Sequence, residues 1–80
     1  MTRIGSNVGS DDTFTITGVI ETGAYGIAVG FQRFGKNKYW CTWEYRTDTE
    51  NDYYHGHYMI PDEATAWKDA VERSNISTLL

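Results

Sequence analysis

The sequence predicts an α+β domain: an antiparallel meander of three to four strands with one C-terminal helix packed on one face, in the order β-β-β-β-α. Three observations carry this expectation. Apolar and polar residues alternate with period two through much of residues 13–60, as half-buried strands require. Short breaks bearing Gly, Asn or Asp separate the runs, which is turn chemistry. After Pro61 the apolar spacing changes to that of a helix. Eighty residues allow one domain at most, here expected over residues 13–75, between a flexible arm at 1–12 and a short tail at 76–80.

The arm is expected because Gly5, Ser6, Asn7, Gly9, Ser10, Asp11 and Asp12 follow neither apolar period. Strict alternation then runs from Thr13 through Phe14, Ile16 and Ile20, with Thr15 and Thr17 on the wet side. Glu21-Thr22-Gly23 is a turn, and residues 24–32 alternate Tyr25, Ile27, Val29 and Phe31 with Gly26, Ala28 and Gly30. Gly35-Lys36-Asn37 turns the chain again, into a third strand over residues 38–46 dense in aromatics and threonine. After the polar residues 47–51, Tyr53, Tyr54 and Tyr58 surround Gly56 in a fourth, edge strand. Asp62 and Glu63 then place acids where a helix start favours them, and Ser74-Asn75 supplies a stop.

With no bulge, parity puts Phe14, Ile16, Ile20, Tyr25, Ile27, Val29, Phe31, Cys41, Trp43, Tyr58 and Ile60 in the core beneath Trp67 and Val71. One helix covers one face of a sheet. Thr15, Thr17, Gly26, Ala28, Gly30, Trp40, Thr42, Glu44, Tyr53, His55 and His57 are therefore expected on the open face.

Composition narrows the function classes. Seven Lys plus Arg against eleven Asp plus Glu give a net charge of −4, the wrong sign for a general grip on phosphate backbones. The N-terminal residues lack a signal-peptide apolar run, and no stretch reaches the ~20 apolar residues of a membrane span. One cysteine, Cys41, excludes an internal disulfide framework and a Cys-rich zinc site. The expectation is a soluble protein of a reducing, cytoplasmic compartment in a bacterial host cell, with no cofactor and no membrane partner.

His55 and His57, two apart on a strand, direct both imidazoles to one face. Zinc needs three or four ligands, and Glu44, Asp48 or a subunit partner would have to complete the set, at a spacing that does not favour it. Two ordinary surface histidines are the expectation. Cys41 with His55 is the one nucleophile pair worth naming, but its place between Trp40 and Trp43 marks a packed thiol. Gly23, Gly26 and Gly30 lie in a turn and a strand rather than between strand and helix, so they cradle no phosphate. Arg33, Lys36, Lys38 and Arg46 at the ends of the third strand admit a nucleic-acid reading in which Trp40, Tyr53 and Tyr54 stack on bases, but Asp48, Glu50 and Asp52 crowd the next turn. Those acids, with Glu44, suit a basic, Arg- or Lys-lined partner surface, and aromatic anchors beside them supply interface energy.

The run Val29-Gly30-Phe31-Gln32-Arg33, the strand Tyr39-Trp40-Cys41-Thr42-Trp43-Glu44 and the segment Tyr54-His55-Gly56-His57-Tyr58 leading into Asp62-Glu63-Ala64 resemble small accessory proteins of phages and conjugative elements. The resemblance spans about two thirds of the chain and lies in composition and order, not in a catalytic signature. It implies an anti-CRISPR or anti-restriction inhibitor: acidic, non-enzymatic and bound to a host protein or ribonucleoprotein complex such as a CRISPR-Cas effector. On this expectation Trp40, Tyr53, His55 and His57 anchor the partner, and Glu44, Asp48, Glu50 and Asp52 answer its basic residues. A small nucleic-acid-binding regulator using the open sheet face is the alternative. A homodimer packed through that same face is a further option.

Overall fold

Two tight turns set the register of most of the sheet. Thr22 pairs with Tyr25 and Phe34 with Asn37, so each loop has two residues. Gly23 (φ 75°) and Gly35 (φ 59°) supply the positive φ that a type II′ hairpin turn needs at its first position. The computed structural model describes residues 4–8, 14–48 and 53–79. These form β1 (Asn7–Val8), β2 (Phe14–Thr22), β3 (Tyr25–Phe34), β4 (Asn37–Arg46), β5 (Tyr53–Ile60) and α1 (Glu63–Leu79). The four long strands make the expected antiparallel meander, and the helix packs on one face of it.

Two elements exceed expectation. The polar run read as an arm contributes β1, which pairs Asn7 with Thr15 and Val8 with Phe14 at the sheet edge. The Gly5 amide donates to the Ile16 carbonyl at 2.7 Å, and the Thr15 hydroxyl to Asn7 Oδ1 at 3.1 Å. The helix runs to Leu79, through the expected stop at Ser74-Asn75. Ser74 does not compete with the helix, because its hydroxyl donates to the Val71 carbonyl one turn back, at 2.8 Å. At the other end Asp62 caps α1 by accepting the Thr65 amide at 2.7 Å, a bond that holds its carboxyl below the usual range.

The sheet faces differ from the parity expectation, for two reasons. A two-residue loop makes directly opposed β3 and β4 residues sum to an odd number: Ile27↔Glu44, Val29↔Thr42, Phe31↔Trp40. Opposed residues share a face, so Ile27, Val29 and Phe31 bring Trp40, Thr42 and Glu44 to the helix side. Cys41, Trp43 and Tyr45 go to the other side. The second reason is a bulge in β2 between Ile16 and Gly18, which flips the strand midway. Ile20 faces the helix, whereas Phe14 and Ile16 face away.

Two cores result. On the helix side Ile27, Val29, Trp40, Ala66 and Ala70 are buried, flanked by Ile20, Phe31, Ile60 and Trp67. Trp67 comes close because Gly18 beneath it has no Cβ; a methyl there would strike the indole. The buried helix stripe is Ala66, Ala70, Arg73 and Ser74, while Val71, expected inside, is exposed. On the open face Ile16, Ala28, Cys41, Trp43 and Tyr45 are buried, with Phe14, Val19 and Tyr53 packed against them.

Candidate partner-binding face

No helix residue contributes to the open-face core, so its side chains bury one another. Tyr45 and Trp43 lie flat along the sheet because the residues beneath them are glycines. A methyl on Gly26 would strike the Tyr45 ring; one on Gly30 would sit 2.9 Å from Trp43 Cζ3 and 2.5 Å from the Thr15 carbonyl oxygen. Tyr58 covers Gly56 in the same way. These glycines do not merely keep the sheet flat, since they seat aromatic rings.

The rings form one layer. Phe14 meets Trp43 edge-on at 5.3 Å between centroids, Trp43 meets Tyr53 at 6.1 Å and Tyr58 at 6.2 Å, and Tyr45 meets Tyr53 at 5.7 Å. Such pairs contribute about 0.5–1.5 kcal/mol each beyond burial. The polar tips are satisfied within the layer: Trp43 Nε1 donates to the Tyr58 hydroxyl at 3.0 Å, and the Tyr45 hydroxyl donates to Glu21 Oε2 at 2.9 Å. Trp43 is 3% exposed, but Tyr58 is 54% and the adjoining Met59 60% exposed. Beside them a shallow concavity lined in part by Phe14, Gln32, Tyr39, Tyr58 and Met59 holds about 10 Å³. That is room for a water, against roughly 300–1,000 Å³ for ligand pockets.

The described site residues divide among four places. Tyr53 lies on the open face, half-buried in the aromatic layer. Trp40 does not anchor anything from outside: it is 9% exposed, packed in the helix-side core against Phe31 at 5.5 Å. Glu44, His55 and His57 join a polar network between sheet and helix. Asp48 sits in the turn after β4, where Arg46 grips it through Nε at 3.0 Å and Nη2 at 2.9 Å. This pairing holds the Asp48 carboxyl below its ordinary range and answers its charge internally. Glu50 and Asp52 lie outside the described residues.

Arg73 centres the polar network, and the sequence reading did not include it. The guanidinium, 8% exposed, donates from Nη1 to Thr42 Oγ1 at 2.8 Å and the Thr42 carbonyl at 3.3 Å. From Nη2 it donates to Glu44 Oε1 at 3.2 Å and the His55 carbonyl at 2.5 Å. Thr42 in turn donates to Asp69 Oδ2 at 2.6 Å. Burial works to raise the Asp69 carboxyl, but Thr42, His57 and the Arg73 charge outweigh it and hold it low. His57 Nδ1 lies 2.9 Å from Asp69 Oδ2 and His55 Nδ1 3.4 Å from Glu44 Oε2. The network bolts α1 to β4 and β5. Among the described residues no three His, Cys, Asp or Glu side chains converge as metal ligands would.

β5 reaches this network by two bulges against β4, each holding a non-glycine residue at positive φ, His55 at 52° and Met59 at 61°. The first aims the His55 carbonyl at Arg73, and the second lets Tyr58 and Met59 stand out on the open side. Cys41 is buried on the open face and its thiol donates to the Gly30 carbonyl at 3.5 Å. Burial pushes that thiol up to about 12, which marks a packing residue rather than a nucleophile.

The cations of the nucleic-acid alternative are also redistributed. Arg46 is held by Asp48 at one end of the β3–β4 hairpin, and Arg33 and Lys38 stand over Phe31 on the helix side at the other. No helix is long and apolar enough to cross a membrane among the described residues. No family model matches the chain, and no curated protein or solved structure shows significant similarity to it.

Proposed function

We propose that this chain is a non-catalytic inhibitor of phage or mobile-element origin that binds a bacterial defence complex, of CRISPR-Cas or restriction type, through the open face of its sheet. The observation that carries the proposal is the Tyr58-Met59 projection. It is an aromatic and thioether foothold more than half exposed, standing on a rigid aromatic layer that the helix does not cover. Interface energy concentrates in rigid aromatic anchors of this kind, and Met adapts to an uneven partner. Trp40 is replaced in that role by Tyr58, with Phe14 and Tyr53 beside it.

Charge supports a basic partner. The chain carries −4 at neutral pH, with a pI of about 4.9. Glu21 lies at the Tyr45 end of the layer, where it accepts the Tyr45 hydroxyl. A surface of this sign meets an Arg- or Lys-lined nucleic-acid channel with fast association. The concavity beside Tyr58 has room only for a water, so the exposed Tyr58 and Met59 side chains themselves supply the contact surface.

A plating assay tests the proposal. Expressed in cells whose defence system restricts a phage, the chain raises plaque formation, and the tagged protein brings down that system's effector. Unchanged plating across the defence systems of the host, together with no captured effector, refutes it.

A further inference from the structure

The β3–β4 hairpin ends in a charge arrangement that the fold does not need. Arg33 and Lys38 are directly opposed across the strand pair, and like charges in that position destabilise a hairpin. Lys36 adds a third cation in the turn. No acid occurs anywhere in residues 22–43, and among the described residues no carboxylate pairs with any of the three. Asp62 and Glu63, at the helix start on this end of the sheet, make no ion pair with them either. The side chains are nonetheless held in place: Lys38 Nζ lies 4.0 Å from the Phe31 ring centroid and 4.8 Å from that of Trp40, and Arg33 Cζ lies 5.7 Å from Phe31. A locally unfavourable pair kept in a fixed position is the kind of conflict that marks a binding site.

The shape of the tip selects among anions. The last described partner of β2 is Gln32, and that of β5 is Trp40. Beyond these pairs β3 and β4 stay paired with each other through the rungs Arg33↔Lys38 and Phe34↔Asn37 and the turn, as a two-stranded ribbon. At about 3.3 Å per residue this stretch is roughly 10 Å long. The major groove of B-form DNA, about 12 Å wide and about 8.5 Å deep, admits such a ribbon, whereas the deep, narrow major groove of A-form RNA does not. The molecule is 38 Å long, and charges beyond the Debye length of about 10 Å at 0.1 M salt are largely screened, so acids at the far end do not cancel the tip, and Asp62 and Glu63 are the described acids at its own end. From this geometry we infer that Arg33, Lys36 and Lys38 form a phosphate-contacting site for duplex DNA. The site is separate from the open face and does not depend on the inhibitor proposal.

Fluorescence anisotropy with a short labelled DNA duplex tests it. Three phosphate contacts give a log–log salt slope of about −2.7, or roughly 500-fold weaker binding per tenfold rise in salt. Lys36→Gln reduces the slope to about −1.8, and the triple Arg33→Gln, Lys36→Gln, Lys38→Gln variant does not bind. Lys38→Arg keeps both charge and slope, which separates loss of contact from loss of fold, and Lys68→Gln on the helix surface changes nothing. Absence of binding at about 25 mM salt overturns the inference, as does a slope indifferent to the tip substitutions. Tighter binding to anionic phospholipid vesicles than to the duplex overturns it too, by assigning the tip to a membrane.

Discussion

Gly30→Ala is the substitution in which the two-core architecture commits itself most sharply. The added methyl lies 2.5 Å from the Thr15 carbonyl oxygen and 2.9 Å from Trp43 Cζ3, whereas carbon atoms pack at about 3.5–4.0 Å. Trp43 cannot retreat, because Phe14 and Tyr58 hold its edge. The carbonyl belongs to the neighbouring strand, so relief requires β2 to part from β3. Over-packing costs about 1–3 kcal/mol where side chains can shift, and a backbone obstacle puts Gly30→Ala near the top, about 3 kcal/mol. Gly26→Ala meets only the Tyr45 ring, but that ring is fully buried and bonded to Glu21, for about 2 kcal/mol. Gly56→Ala meets Tyr58, which is half exposed and swings outward, so the loss is the Trp43–Tyr58 hydrogen bond, about 1 kcal/mol. Against a total of roughly 4–12 kcal/mol for 80 residues, these differences are large. Urea unfolding followed by tryptophan fluorescence reads them as falling midpoints at constant slope. Gly56→Ala as costly as Gly30→Ala, or Gly30→Ala indistinguishable from the parent, refutes the picture of rings seated on glycine.

Arg73→Ala takes the guanidinium from Glu44, which keeps His55, and leaves Thr42 and the His55 carbonyl without that donor; the lost buried hydrogen bonds cost about 1–3 kcal/mol, and Arg73→Lys, lacking the guanidinium fork, recovers only part of the melting temperature. Cys41 does not react with a thiol reagent at pH 8 while the protein is folded and reacts at once in denaturant, because its thiol is buried with a pKa of about 12; fast native-state labelling contradicts this. Asp69 has a carboxyl held below its unfolded value, so its contribution is complete above a pH of about 4 and is lost as pH falls through the depressed value. Asp69→Asn therefore flattens the acid limb of a stability–pH curve, and an unchanged limb counts against the network.

The four long strands, the helix and the segregation of Ile27, Val29 and Phe31 to the covered face were all legible in the sequence, because alternation and tight turns are local signals, whereas the short β1 lies in a polar run that carries neither. The face of β4 was legible too, in a way parity along a single strand does not reveal. A Gly35-Lys36 loop of two residues forces odd-numbered β3 residues opposite even-numbered β4 residues, which puts Trp40 inside and Trp43 outside. The β2 bulge, by contrast, leaves no sequence mark beyond Gly18, whose missing Cβ admits Trp67. The β5 bulges are hidden further, since the residues at positive φ are His55 and Met59 rather than glycine; of the two, histidine belongs with Asn and Asp among the residues enriched there, and methionine does not. Arg73 reads as a solvent-facing helix charge until Thr42, Glu44 and Asp69 are placed around it. The open face was expected and exists, but with different occupants, because register decides occupancy and composition does not.

The partner-binding account separates two opposite surfaces, and one comparison tests it directly. Tyr58, on the aromatic layer, and Val71, 47% exposed on the helix, are each replaced by alanine, and both variants are confirmed folded by melting. Capture of the host effector by tagged protein is then quantified for the parent and the two variants. The account predicts that Val71→Ala captures as the parent does while Tyr58→Ala loses about 30-fold in affinity, the effect of removing an anchor worth about 2 kcal/mol. Retained capture by Tyr58→Ala with loss in Val71→Ala would place the contact on the helix and contradict it.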